Sequence, residues 1–185
     1  MGTWAGVTMD AQWRQSGYYF QGRPWFVHEA ILYLESIIEP GWTCFEWGSG
    51  SSTLWLAVDL QASDVVSMEH NSEWHEKTYA DLMRLGVKNW ELNLSALGGA
   101  YENYILKFPD AHFDLVIVDG RNRAACIANA AAKVKPGGLL VLDNSEREQY
   151  QAAIAAHLAA WERRDFVSQG GGYAGWMTTV WRKTA

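Results

Sequence analysis

Cysteine and basic residues are scarce in this sequence, and each shortage narrows the class of protein. Two cysteines in 185 residues are too few for a disulfide framework, so we expect Cys44 and Cys126 to be buried thiols in a reducing cytoplasm. The formal net charge of −6 weighs against a nucleic-acid partner, because such partners usually require a basic surface. Hydrophobic residues make up 49% of the chain and charged residues 19%, which indicates a globular protein.

Long apolar runs are also missing. No apolar stretch reaches the roughly 20 residues of a membrane-spanning helix, so no membrane partner is expected. Residues 1–12 lack a basic segment followed by an apolar run, so no signal peptide is predicted. We expect one domain over residues 1–185, with 1–40 forming an N-terminal cap or arm plus the first helix and 41–185 forming the ligand-binding core. The oligomeric state stays open, with a homodimer as one option.

Strand and helix signals alternate along the core. Strands are predicted at 43–47, 65–69, 89–94, 113–118 and 139–142, with helices at 28–38, 53–60, 72–85, 101–108, 123–134 and 149–163, and two closing strands at 165–168 and 177–181. This alternation predicts an α/β fold with a doubly wound, mostly parallel sheet and helices on both faces. Such sheets bind ligands beyond the carboxyl ends of their strands, so functional residues should follow the strands.

The first strand ends in a glycine-rich turn, Gly48-Ser49-Gly50. Glycines allow a tight turn and a close ligand, and the helix that follows offers free amides. An ordinary strand–turn–helix joint would look the same. Glu69, about 20 residues beyond the turn, is placed to accept hydrogen bonds from two ribose hydroxyls.

The turn alone fits two classes of cofactor. A nicotinamide dinucleotide is disfavoured because Thr53 stands where the third glycine of its fingerprint would be. Glu46, on the strand before the turn, suits a cationic ligand better than a pyrophosphate.

Polar side chains also follow the fourth and fifth strands. Asp119 and Asp143 should meet at one sheet edge, with Asn144 beside them. Carboxylate and amide oxygens suit a hard cation such as Mg²⁺, or they position polar groups of a substrate. Helix capping is the alternative, above all for Asn144.

Taken together, these residues resemble the class I S-adenosylmethionine-dependent methyltransferases. The matching segments are Phe-Glu-Trp-Gly-Ser-Gly-Ser-Ser-Thr at 45–53, Met-Glu-His-Asn at 68–71, Phe-Asp-Leu-Val-Ile-Val-Asp-Gly at 113–120, and Lys-Pro-Gly-Gly-Leu-Leu-Val-Leu-Asp-Asn at 135–144. The resemblance implies a Rossmann-like sheet with a C-terminal antiparallel strand. It also implies an enzyme that binds S-adenosylmethionine (SAM) and methylates a small molecule at an oxygen or nitrogen atom.

The resemblance assigns roles to the strand-end residues. The implied cofactor-binding set is Glu46, Gly48, Ser49, Gly50, Ser52, Thr53, Glu69, His70, Asn71, Ser95, Asp119 and Gly120. Within this set, Glu46 would lie near the amino group of the cofactor, Glu69 would hold the ribose, and Ser95 would approach the adenine. Ser52 departs from the family pattern, which usually has a third glycine there.

Asp119, Asp143 and Asn144 resemble the metal ligands of the catechol O-methyltransferase-like branch, which implies a candidate Mg²⁺ site. That branch usually has a lysine soon after the first aspartate, where this chain has Arg121 and Arg123. Arginine stays protonated and is a poor base, which puts the general base and the metal in doubt. Asp119 and Asp143 are the candidate catalytic residues.

The candidate substrate-binding residues are Tyr18, Tyr19, Trp25, Arg121, Asn144 and Tyr173. Aromatic walls suit a planar or apolar acceptor, although core packing explains each aromatic residue equally well. Two alternatives stay open: an aminopropyl transferase or another adenosyl-ligand enzyme on the same fold, and a non-catalytic SAM-binding module. The absence of an Asn-Pro-Pro-Tyr-type motif after the fourth strand argues against a DNA amino-methyltransferase.

Overall fold

Seven strands form one sheet within residues 22–169 and 173–184, the part of the chain that this computed structural model describes. The strands are β1 (Thr43–Trp47), β2 (Asp64–Glu69), β3 (Trp90–Leu94), β4 (Phe113–Val118), β5 (Val134–Asp143), β6 (Glu162–Val167) and β7 (Met177–Arg182). Their order across the sheet is β3-β2-β1-β4-β5-β7-β6. Strands β1 to β5 pair in parallel, and β7 runs antiparallel to both β5 and β6. The doubly wound sheet with an antiparallel strand near its C-terminal edge is therefore confirmed.

Helices connect the strands and cover the sheet. They are α1 (His28–Ile37), α2 (Ser51–Leu54) with a π-helical turn at Trp55–Asp59, α3 (Ser72–Leu85), α4 (Ala100–Asn103) with a 3-10 turn at Tyr104–Lys107, α5 (Arg123–Ala130) and α6 (Glu148–His157). The Asn71 side chain caps α3 by accepting a hydrogen bond from the Trp74 backbone amide at 2.9 Å. Gly86 ends α3 in a left-handed conformation with φ of +69°.

The central strands β1, β2, β4 and β5 are buried on both faces, as parallel strands covered by helices require. In β4, Leu115 and Ile117 pack into one core with α1 and α2, whereas Val116 and Val118 pack into the other with α5 and α6. Both cysteines are free and buried, as expected. Within the described ranges, none of the helices has the length and apolarity needed to span a bilayer.

Two helices are shorter than the sequence predicts. The predicted helix at 149–163 ends at His157, and β6 begins at Glu162 because that segment pairs with β7. The alanines of this segment favour a helix, but strand pairing overrides that local preference. The predicted helix at 123–134 ends at Ala130, since Val134 already pairs with Phe113.

Strand β5 is correspondingly longer than the predicted 139–142. A register irregularity between Phe113 and Leu115 opposite β5 accommodates Pro136, which lacks the amide hydrogen of a regular ladder.

Candidate functional site

A cavity of about 540 Å³ lies at the carboxyl ends of β1, β2, β4 and β5, and we call it the strand-end cavity. It is lined by Trp25, Gly48, Ser49, Gly50, Ser51, Ser52, Glu69, His70, Asn71, Glu73, Trp74, Lys77, Asp119, Gly120, Arg121, Arg123, Asp143, Asn144, Arg147 and Trp176. The strand order reverses between β1 and β4 at this place, which is where open α/β sheets bind their ligands.

The glycine turn forms the floor of the strand-end cavity. Gly48 has φ of +95°, and a Cβ atom there would lie 2.8 Å from the Gly120 backbone nitrogen. Trp47 and Asp119 explain this closeness, because the Trp47 carbonyl accepts a hydrogen bond from the Asp119 amide at 3.0 Å. The turn requires glycine for its conformation and for the approach of a neighbouring backbone.

Glu69 links the turn to the end of β2. One carboxylate oxygen accepts hydrogen bonds from the Ser49 amide at 3.0 Å and the Ser49 hydroxyl at 3.1 Å. The other accepts from the backbone amides of His70 at 2.8 Å and Asn71 at 2.9 Å. The side chain thus fixes both loops that flank the cavity, while its own surface still lines that cavity.

Glu46 lies beneath the turn and does not line the described cavities. Its carboxylate accepts hydrogen bonds from the hydroxyls of Ser52 and Ser67, each at 2.6 Å, and from the hydroxyl of Thr53. Burial raises the pKa of Glu46 from 4.5 to about 7, against the lowering effect of these hydroxyl donors. Contact between Glu46 and the amino group of a cofactor stays a prediction.

We expect the Glu46→Gln variant to lose part of the pH dependence of stability. The folded-state pKa is raised, so folding favours the protonated acid, and stability falls as pH rises from 4.5 to about 7. The charge of Glu46 then costs on the order of 3 kcal/mol above that window. Glutamine carries no charge, so the melting temperature of the variant should fall less between pH 5 and pH 8. If the melting temperatures of the two proteins fell by the same amount between pH 5 and pH 8, the raised pKa of Glu46 would be contradicted.

Arg123 joins the carboxyl ends of β4 and β5. Its guanidinium donates to the Asp119 carboxylate at 2.9 Å, the Asp119 carbonyl at 2.8 Å and the Gly120 carbonyl at 2.9 Å. It also donates to the Asp143 carbonyl, and at 3.5 Å to the Asn144 side-chain oxygen. The donors of Arg123 are therefore directed to the protein.

The two candidate catalytic carboxyls are electrostatically perturbed. Burial raises the pKa of Asp119 despite the Arg123 guanidinium, and the nearby Asp143 raises it further. Burial also raises the pKa of Asp143, opposed by the Thr178 hydroxyl, which donates to it at 2.7 Å. Groups shifted in this way at a cavity wall are typical of functional sites.

A second cavity, of about 660 Å³, adjoins the first, and we call it the aromatic cavity. Its lining consists of Arg23, Pro24, Trp25, Phe26, Val27, His28, Ile31, Asp143, Ser168, Tyr173 and Trp176. Trp25, Asp143 and Trp176 line both cavities. The wall before α1 is anchored at this junction, because the Val27 amide donates at 3.0 Å to the same Thr178 hydroxyl that binds Asp143.

The structure brings most of the predicted residues together. The predicted cofactor-binding residues that line the strand-end cavity are Gly48, Ser49, Gly50, Ser52, Glu69, His70, Asn71, Asp119 and Gly120. Thr53 is fully buried under the turn, and Ser95 lines a separate cavity of about 280 Å³ next to β3. Arg121 and Asn144 line the strand-end cavity and Tyr173 the aromatic one, whereas Tyr18 and Tyr19 lie outside the described residues.

Trp74 is a wall residue that the sequence reasoning missed. Its indole nitrogen donates to the Ser49 carbonyl, and a Cβ at Gly50 would lie 3.0 Å from that nitrogen. Only its place in the first turn of α3, just after Glu69, could have signalled a role at the turn.

One family model matches this chain. The family model described as a methyltransferase domain matches residues 45–145, more than half of the chain. A comparison with curated protein sequences finds no match.

Solved structures share the fold at low identity. A methyltransferase from Pyrococcus furiosus is 17% identical with a TM-score of 0.61, and the match covers 85% of this chain and 82% of that one. A predicted O-methyltransferase from Agrobacterium tumefaciens is 20% identical with a TM-score of 0.59, covering 80% and 76%. An rRNA methylase from Streptococcus thermophilus is 13% identical with a TM-score of 0.66, covering 88% and 98%.

Proposed function

We propose that this chain, which belongs to the class I SAM-dependent methyltransferases, methylates a small molecule at an oxygen or nitrogen atom. The observation that carries this proposal is the junction of the two cavities at Asp143. SAM would occupy the strand-end cavity, and the methyl acceptor would occupy the aromatic cavity. A volume of about 660 Å³ lies within the range of small-molecule pockets.

The contacts of Glu69 support its role as the ribose-binding residue. Its four hydrogen bonds use about all the lone-pair directions of a carboxylate. Three of the donors are backbone amides, but the fourth is the Ser49 hydroxyl, which can rotate. A ribose hydroxyl would replace that donor when the cofactor binds.

The cofactor is positively charged at sulfur, and the carboxyl groups of Asp119 and Asp143 are among the groups that line the strand-end cavity. Asp119 lies beside the turn and Asp143 lies at the junction. During transfer, the acceptor atom bonds to the methyl carbon as the bond from carbon to sulfur breaks, and the sulfonium becomes a neutral thioether. The protein contributes orientation and electrostatics to this displacement.

An oxygen or nitrogen acceptor with a proton must lose it during or after transfer. Asp143 is the candidate proton acceptor, because it lines both cavities and burial raises its pKa above the usual value of 3.8. Asp119 is bound to Arg123 and is proposed to orient the reacting groups. Trp25, Trp176 and Tyr173 would enclose a planar or apolar acceptor.

The substrate class is testable with tritium-labelled SAM. The protein is incubated with the low-molecular-mass fraction of a cell extract, and separately with total RNA. We expect labelled small molecules. We also expect Asp143→Asn to slow the labelling about 100-fold, while the variant still binds S-adenosylhomocysteine (SAH), the demethylated product of SAM. Asp110→Asn, which changes an exposed aspartate paired with Lys133, is the matched control and should label at the wild-type rate.

Label in the RNA and none in the small-molecule fraction would contradict the proposed substrate class. Equal labelling by wild type and Asp143→Asn would contradict the proposed role of Asp143.

A further inference from the structure

We propose that Arg123 occupies the place of a catalytic metal ion, so that this methyltransferase needs no divalent cation at the strand ends. Asp119, Asp143 and Asn144 are the residues of this chain that resemble a metal-binding set. A metal at this place would have to be bound by the side-chain oxygens of these three residues. In this structure those strand ends are held together by a guanidinium instead.

The hydrogen bonds of Arg123 account for its whole donor set. A guanidinium has five N–H donors, and five protein oxygens accept from it. They are the Asp119 carboxylate and carbonyl, the carbonyls of Gly120 and Asp143, and the Asn144 amide oxygen. Arg123 is itself buried, so this is a fixed internal cation and not a mobile surface contact.

A divalent cation does not fit beside this group. The positive charge of Arg123 would repel it across a distance of a few ångströms in a partly buried site. One of the two Asp143 carboxylate oxygens also accepts a hydrogen bond from the Thr178 hydroxyl at 2.7 Å, which leaves fewer oxygens for a metal. Among residues 22–169 and 173–184, no three His, Cys, Asp or Glu side chains are grouped to hold a metal.

Arg123 therefore supplies two things that a bound metal would supply elsewhere. It neutralises charge between β4 and β5, and it fixes the relative position of Asp119 and Asp143. Since its donors are engaged, it acts by positioning and does not contact the acceptor. An arginine suits this task because it stays protonated and its fork of donors is rigid.

Mn²⁺ titration followed by electron paramagnetic resonance tests the proposal without any methyl acceptor. Wild type should show no saturable Mn²⁺ site that depends on Asp119. In Arg123→Met the cation is gone and the oxygens are released, so the variant should gain a saturable Mn²⁺ site that wild type does not show and that a further Asp119→Asn substitution removes. Arg123→Lys keeps a positive charge and should not gain the site.

Saturable Mn²⁺ binding to wild type that Asp119→Asn removes would overturn the proposal. A folded Arg123→Met that gains no Mn²⁺ site would also overturn it. If Arg123→Met does not fold, the wild-type and Asp119→Asn titrations decide. The proposal rests on the proposed function only where it calls the replaced metal catalytic. SAH binding, measured on the same samples, reports separately whether the cofactor site exists.

Discussion

Glu69→Gln should weaken the binding of SAH by about 100-fold, because the carboxylate is expected to hold the ribose and already organises both loops of the cavity. Glutamine has the same shape, but its amide nitrogen cannot accept a hydrogen bond. One of the two loops, at Ser49 or at His70 and Asn71, would therefore lose its acceptor. The variant loses ribose contacts and the preorganisation of the turn together.

Isothermal titration calorimetry with SAH measures this effect directly. Glu73→Gln is the matched control, since Glu73 lines the same cavity at an exposed position on α3. The control should bind SAH within about threefold of wild type, as expected for an exposed charge. If Glu69→Gln bound SAH as tightly as wild type, the proposed role of Glu69 in ribose binding would be contradicted.

Gly48→Ala should destabilise the protein far more than Gly41→Ala. Both glycines have a positive φ, +95° at Gly48 and +90° at Gly41, so alanine is strained at either position. At Gly41 the added Cβ meets no atom within 4 Å, whereas at Gly48 it would lie 2.8 Å from the Gly120 nitrogen and 2.9 Å from the Asp119 carbonyl carbon. The comparison isolates the close approach of two backbones from the cost of the conformation.

We expect Gly41→Ala to lower the free energy of unfolding by about 1–2 kcal/mol. Gly48→Ala should lower it by a further 2–3 kcal/mol or so, because backbone must move to relieve the contact. The melting temperature of Gly48→Ala should then lie on the order of 8 °C below that of Gly41→Ala. Equal melting temperatures for the two variants would mean that the turn accommodates the added Cβ without cost. That result would contradict the close approach of Gly48 to the Gly120 backbone.

Much of this site could be predicted because it follows strand ends. The short apolar strands are unambiguous, and a parallel sheet brings their carboxyl ends to one edge. Position in the alternation and side-chain chemistry single out Gly48, Glu69, Asp119 and Asp143, and all four line the strand-end cavity.

The rest depends on contacts that no local pattern encodes. The sequence shows Arg123 as the first residue of a helix, and only the fold places its guanidinium between β4 and β5. Trp74 looks like one more aromatic residue of an amphipathic helix. The predicted end of α6 was wrong for a similar reason, because the pairing of β6 with β7 decides where β6 starts.

Titration of the wild-type protein with SAH shows whether the strand-end cavity is a cofactor site. We expect saturable heat for one SAH per chain, with a Kd in the micromolar range, about −7 to −8 kcal/mol of binding free energy. Absence of binding at millimolar SAH would contradict the proposal that the strand-end cavity holds the cofactor.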